Sequence, residues 1–121
     1  MFLATTNQPK RLLLLEFIGR VQAKELQNSR DELESLLADV PAGFRLLTDL
    51  SRLQSMELAC QTEISRVMEL LDRKGVGTVI RVIPETQKDI GFNILAAFHY
   101  RHRIQTVTCQ TMEEAARLLE F

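Results

Sequence analysis

Residues 48–60 read TDLSRLQSMELAC, and the reading of this stretch decides the fold. Upstream, Phe44 to Leu47 run into Thr48, Asp49 and Leu50 as a short apolar segment preceded by Pro41 and Gly43. A run of that length between turn residues suits a buried strand. Downstream, Cys60, Ile64, Val67, Met68 and Leu71 recur at helical spacing and share one face of a helix expected over residues 57–73. The stretch therefore reads as a strand-to-helix junction, with Ser55 placed to N-cap the helix and Glu57 in its first turn, where the dipole favours a carboxylate.

On the N-terminal side, the apolar segments at 1–4 and 12–18 flank TTNQPKR, whose Asn and Pro supply turn chemistry. An antiparallel hairpin is expected there. From Gln22 the period becomes helical, with Leu26, Leu33, Leu36, Leu37 and Val40 on one face, until Pro41 and Gly43 stop the helix. On the C-terminal side, KGVG breaks the junction helix, and the β-branched segment TVIRVI (78–83) reads as another strand ended by Pro84. A helix over 86–102 follows, with Ile90, Ile94, Leu95 and Phe98 inward, and then a strand over 103–109. Thr111 N-caps a last helix that buries Met112, Ala115, Ala116 and Leu119. The order β-β-α-β-α-β-α-β-α implies an α/β fold with a mostly parallel sheet, helices packed on it and an antiparallel N-terminal edge.

The 121 residues fit a single domain, 1–121, of ordinary size. Hydrophobic residues at 45% and charged residues at 26% match an ordinary globular chain rather than a disordered one. A net charge of -1 offers no broad basic field, so nucleic acid is not an expected partner. The longest apolar run, Leu12 to Leu15, is far short of the roughly 18 residues of a membrane span. Cys60 and Cys109 lie far apart with no CxxC spacing and read as two buried thiols of a cytoplasmic protein.

Catalytic constellations are hard to assemble. His99 and His102 could share a metal on a helix, but no third ligand stands at a suitable spacing, so no metal or other cofactor is expected. Arg101 and Arg103, with Arg81, form a small basic cluster beside Tyr100 that a solvated helix end explains. The glycines of KGVGT precede a strand, whereas a phosphate loop leads from strand to helix. Asp49 is suited to binding backbone N–H groups of the loop that follows it, with Ser51 as a hydrogen-bond partner. No enzyme is expected.

The element order together with DLSRLQSMELAC resembles the STAS domain family, named for sulfate transporters and antagonists of anti-sigma factors. Asp49, Leu50 and Ser51 match that family's Asp-Leu-Ser strand end, and Met56 and Glu57 match the start of its Met-Asp-Ser-Ser-Gly helix opening. The resemblance covers nearly the whole chain and implies a STAS-like domain that binds a regulatory protein partner. The family's phosphorylatable serine falls on Leu58, which has no oxygen to carry a phosphoryl group, and Ala59 and Cys60 replace a hydroxyl residue and glycine. The sequence therefore leads to a divergent, noncatalytic interaction module of a bacterial regulatory system. Its partner-binding residues would be Asp49, Ser51, Ser55, Glu57 and Leu58. A small-molecule or lipid-like ligand carrier or sensor, with a pocket at the strand ends near Asp49 and Arg81, is the alternative. Phe92, Ala96 and Tyr100 form a second stripe on the helix over 86–102 and are the expected homodimer contact.

Overall fold

The computed structural model describes residues 1–84 and 104–120. The chain opens with β1 (Phe2–Asn7), which turns through Gln8 to Arg11 and returns as β2 (Leu12–Phe17). The pair is antiparallel, with Phe2 opposite Phe17 and Asn7 opposite Leu12. This is the expected hairpin. Next come β3 (Gly19–Val21), α1 (Ala23–Asn28), α2 (Arg30–Ala38), β4 (Arg45–Asp49) and β5 (Leu53–Met56). α3 (Cys60–Arg73), β6 (Thr78–Val82), β7 (Gln105–Cys109) and α4 (Met112–Leu118) complete the described residues.

The main sheet has the order β1-β2-β4-β6-β7, with β2, β4, β6 and β7 parallel. Its register explains why LLLL and FRLL carry so little polarity. Leu13 aligns with Leu46 and Val79 on one face, and Leu14 with Leu47 and Ile80 on the other, so both faces of these strands need apolar residues. Two cores result. Leu13, Leu15, Phe17, Leu46 and Val79 pack with Leu26, Leu33, Leu37, Ile64, Val67 and Leu71 from α1, α2 and α3. Leu12, Leu47, Ile80, Val82 and Cys109 pack with Ala115 and Leu119 at the other face.

Several expectations are corrected in detail. The single helix expected from Gln22 is divided at Ser29, although Ser29 N–H still donates to Glu25 O and Leu33 N–H to Ser29 O. Leu36 is only half-buried. Met112 is 37% exposed, because at the first position of a short helix it projects past the sheet that Ala115 and Leu119 cover. Thr111 does cap α4, its hydroxyl accepting the Glu114 N–H at 3.2 Å. Two strands were not anticipated: β3 and β5, three and four residues long, pair in parallel as a second small sheet. The helix expected over residues 86–102, with His99 and His102 and the stripe of Phe92, Ala96 and Tyr100, lies outside the described residues, as do Arg101 and Arg103.

Candidate functional site

The parallel strands β2, β4 and β6 all end at the same edge of the sheet, the edge at which open α/β sheets usually bind their partners. β4 ends in Asp49, which is 4% exposed and whose carboxylate accepts the Ser51 N–H at 2.9 Å. Leu50 N–H donates to Val82 O at 3.0 Å, and Leu53 N–H to Leu50 O at 3.2 Å. Asp49 thus holds the tight turn that lifts the chain out of the main sheet, the role expected of it. Arg52, at the turn, reaches Glu16 on β2 at 3.2 Å across the solvent.

The chain then enters β5 instead of a helix, which corrects the assignment of Ser55 and Glu57. Ser55 is an exposed strand residue opposite Arg20, and Glu57 precedes the first turn of α3. The backbone of residues 53–56 is occupied by pairing with β3, so no N-cap geometry is available to Ser55. Glu57 instead reaches a different helix. Its Oε1 accepts the Ala23 N–H at 2.9 Å, at the start of α1, while its own N–H donates to Val21 O at 3.3 Å. A carboxylate on an otherwise unpartnered N–H of a first turn satisfies that donor and opposes the positive end of the helix.

Three residues later the chain is tied down again. Cys60 N–H donates to Glu57 O at 2.9 Å, and its buried Sγ lies 3.6 Å from Val21 O. Between these two anchors Leu58 stands 68% exposed, at the tip of a loop fixed on both sides. Among the expected residues, Ser51 is half-buried, Ser55 and Leu58 are exposed, and Asp49 is buried.

One residue of this region was missed from the sequence. Glu63 is 4% exposed and is held by Arg30 at 2.6 Å, Arg66 at 3.1 Å and Gln27 at 3.1 Å. It ties α3 to α2 and to α1, the helix that also receives Glu57. The signal was legible: Glu63 lies three residues after Cys60 and four before Val67, a charged residue inside an apolar stripe.

Asp49 and Arg81, expected near one pocket at the strand ends, do not share a face of the sheet. In the register, Arg81 is the neighbour of Thr48, and Asp49 that of Val82, so the two side chains leave opposite faces of the sheet. Arg81 donates to Thr108 at 3.0 Å on its own face. Among the described residues, no three His, Cys, Asp or Glu side chains are grouped to hold a metal ion, and no helix is long and apolar enough to cross a membrane.

Burial pushes the Cys60 thiol above its ordinary range, and the Glu57 carboxylate adds to the shift. Burial, with Glu114, does the same for Cys109. A thiol harder to ionise in the folded chain contributes stability that is complete below the unfolded thiol's pKa and is lost as pH rises through the folded value. The thermal midpoint is accordingly expected to fall above about pH 8.5. Cys60→Ala should make that fall shallower, and an unchanged slope in the variant would remove the thiol as its cause.

No protein-family model matches the sequence, and no curated protein does. Solved structures do match. The unphosphorylated form of the anti-sigma factor antagonist SpoIIAA superposes with a TM-score of 0.64 at 14% identity, covering 99% of this chain and 98% of that one. The phosphorylated form of the Bacillus cell fate determinant SpoIIAA gives 0.59 at 13% identity, with 98% and 99% covered. An uncharacterized protein of the DUF3478 family from Shewanella loihica, with a SpoIIAA-like fold, gives 0.68 at 15% identity, with 98% and 92% covered. At these identities the likeness carries the fold, and that fold is the STAS-like one anticipated from Asp49-Leu50-Ser51 and Met56-Glu57.

Proposed function

We propose that this chain is a noncatalytic protein-interaction module of a bacterial regulatory system, working in the cytoplasm on a regulatory protein partner. Its contact surface is the junction 51–58 with the exposed side of α3. The observation that carries the reading is the exposure of Leu58 on a loop whose two ends are fixed, by Glu57 on Ala23 and by Cys60 under Val21. A large apolar side chain on a backbone anchored at both sides costs little backbone entropy when it enters a partner's recess, so it suits an interface anchor. The STAS-like fold supports the same class, since SpoIIAA is by name an antagonist of another protein.

The module works without a serine switch at position 58, since Leu58 accepts no phosphoryl group. Constant apolar contact replaces a contact that modification could remove. The ligand-carrier alternative is not favoured, because Asp49 and Arg81 leave opposite faces of the sheet.

Leu58→Asp is expected to weaken partner binding by about thirtyfold, the scale of losing an apolar anchor, with the thermal midpoint unchanged. A photo-crosslinker at position 58 should capture one protein that the same group at exposed Asp39 does not. A capture pattern common to both positions, or a Leu58→Asp variant that retains the crosslinked partner at wild-type affinity, would count against the proposal. Intact-mass measurement after incubation with a cognate kinase should show no phosphate; a phosphate on Ser51 or Ser55 would restore a switch at a shifted position.

A further inference from the structure

Among the described residues β1 is the outer strand of the five-stranded sheet, and it carries none of the usual protections of an edge. Its residues, FLATTN, include no charge and no proline, and its register with β2 runs without a bulge over all six positions. Native sheets blunt exposed edges with such devices because an unpaired ladder is a template for another chain.

The hydrogen-bond phase of the hairpin shows which groups point outward. Ile18 N–H donates to Met1 O at 2.8 Å, so the Met1 and Ile18 backbones face each other. Alternation turns Leu3, Thr5 and Asn7 toward their partners Glu16, Leu14 and Leu12, and turns the N–H and C=O of Phe2, Ala4 and Thr6 away from β2. These three residues are symmetric about Ala4. A second β1 strand laid antiparallel across a two-fold axis at Ala4 therefore matches Ala4 with Ala4 and Phe2 with Thr6, and every outward donor meets an acceptor.

The same register resolves an exposed apolar residue. Leu3 is 41% exposed, and the two-fold places it beside Thr5 of the second copy, at the roughly 4.5 Å Cα spacing of a non-hydrogen-bonded pair. The opposite edge, β7, offers no such match: Gln105, Thr106 and Thr108 are exposed there and polar, and Thr108 already accepts from Arg81. We propose that the chain self-associates through β1, two copies joining their sheets antiparallel about Ala4. This contact uses β1 and none of the junction residues 51–58.

The wild-type chain is expected to sediment as a concentration-dependent mixture of monomer and dimer. Ala4→Cys should form a disulfide-linked dimer on mild oxidation, because hydrogen-bonded cross-strand Cα atoms stand about 5.5 Å apart, inside disulfide range. Thr6→Cys should not, since its two copies would sit about 13 Å apart. Ala4→Pro removes an outward N–H that the hairpin does not use, so it should stay folded by circular dichroism while its dimer dissociation constant rises more than about tenfold. A wild-type chain that stays monomeric at every concentration, or equal crosslinking at positions 4 and 6, overturns the proposal. So does a dimer kept by folded Ala4→Pro and lost in a folded Phe92→Glu, Tyr100→Glu double variant, which would move the contact to the stripe named from the sequence.

Discussion

Replacing Glu63 with alanine is expected to lower the thermal midpoint by about 8 °C. The carboxylate is 5% exposed and takes hydrogen bonds from two guanidinium groups and one amide. Removing one partner of a fully buried ion pair costs about 3–5 kcal/mol, mostly because the remaining charge stays buried and unpaired. Here the Arg30 and Arg66 side chains are 39% and 54% exposed, so water recovers part of their solvation once the carboxylate is gone. About 2 kcal/mol is the reduced figure, and a chain of this length loses roughly 4 °C per kcal/mol.

Glu63→Gln should cost less, since it preserves the shape and one acceptor oxygen for Gln27 and Arg66, while losing the charge and the acceptor that Arg30 uses. Arg30→Ala should be milder in the Glu63→Ala background than in the wild type, the coupling expected of one network. A Glu63→Ala midpoint within about 2 °C of wild type would show that burial of this carboxylate contributes nothing to holding α3. The consequence reaches the candidate surface. α3 begins directly after the Leu58 loop, and α1 both receives Glu57 and supplies Gln27 to Glu63, so loosening α3 against α1 should also blur the presentation of Leu58.

How much of this was legible in the sequence depends on the length of the element. The main strands could be read because apolar residues filled both faces over five or six positions, as at Leu12 to Phe17 and Arg45 to Asp49. α3 could be read because Cys60, Ile64, Val67, Met68 and Leu71 repeat over several turns, and all five are buried. β3 and β5 could not, since three and four residues carry no periodicity and owe their conformation to each other across more than thirty positions of chain. That pairing displaced Ser55 and Glu57 from their expected capping roles. The partner residues were found by analogy of position, but the hydrogen bond from Ala23 to Glu57 is a tertiary contact that no local pattern encodes. Glu63 is the opposite case, a charged residue on a buried stripe whose burial follows from spacing alone. That Asp49 and Arg81 leave opposite faces is something only register supplies, because one step along a strand reverses the face.

Gly75→Ala is expected to destabilise the fold by about 3 kcal/mol, from two independent causes. Gly75 follows the last turn of α3 with φ of +88°, and its N–H donates to Asp72 O while the next N–H, of Val76, donates to Leu71 O. These two bonds close the helix in the Schellman pattern, and the buried Val76 side chain completes it. An L residue with a Cβ loses about 1–2 kcal/mol in this left-handed conformation. The second cause is contact with the 41–43 turn. A Cβ on Gly75 would lie 2.9 Å from the Ala42 Cβ, and the Gly43 N–H to Gly75 O bond of 2.6 Å holds the two segments together. A short rigid side chain cannot swing aside, so the backbone must move or the bond must lengthen. At roughly 4 °C per kcal/mol the midpoint should fall by about 12 °C. Adding Ala42→Gly relieves the contact but not the dihedral, so the double variant should recover about half of the loss. Recovery of none of it would leave the backbone conformation as the whole effect, and recovery of all of it would mean that alanine tolerates φ of +88° here without strain.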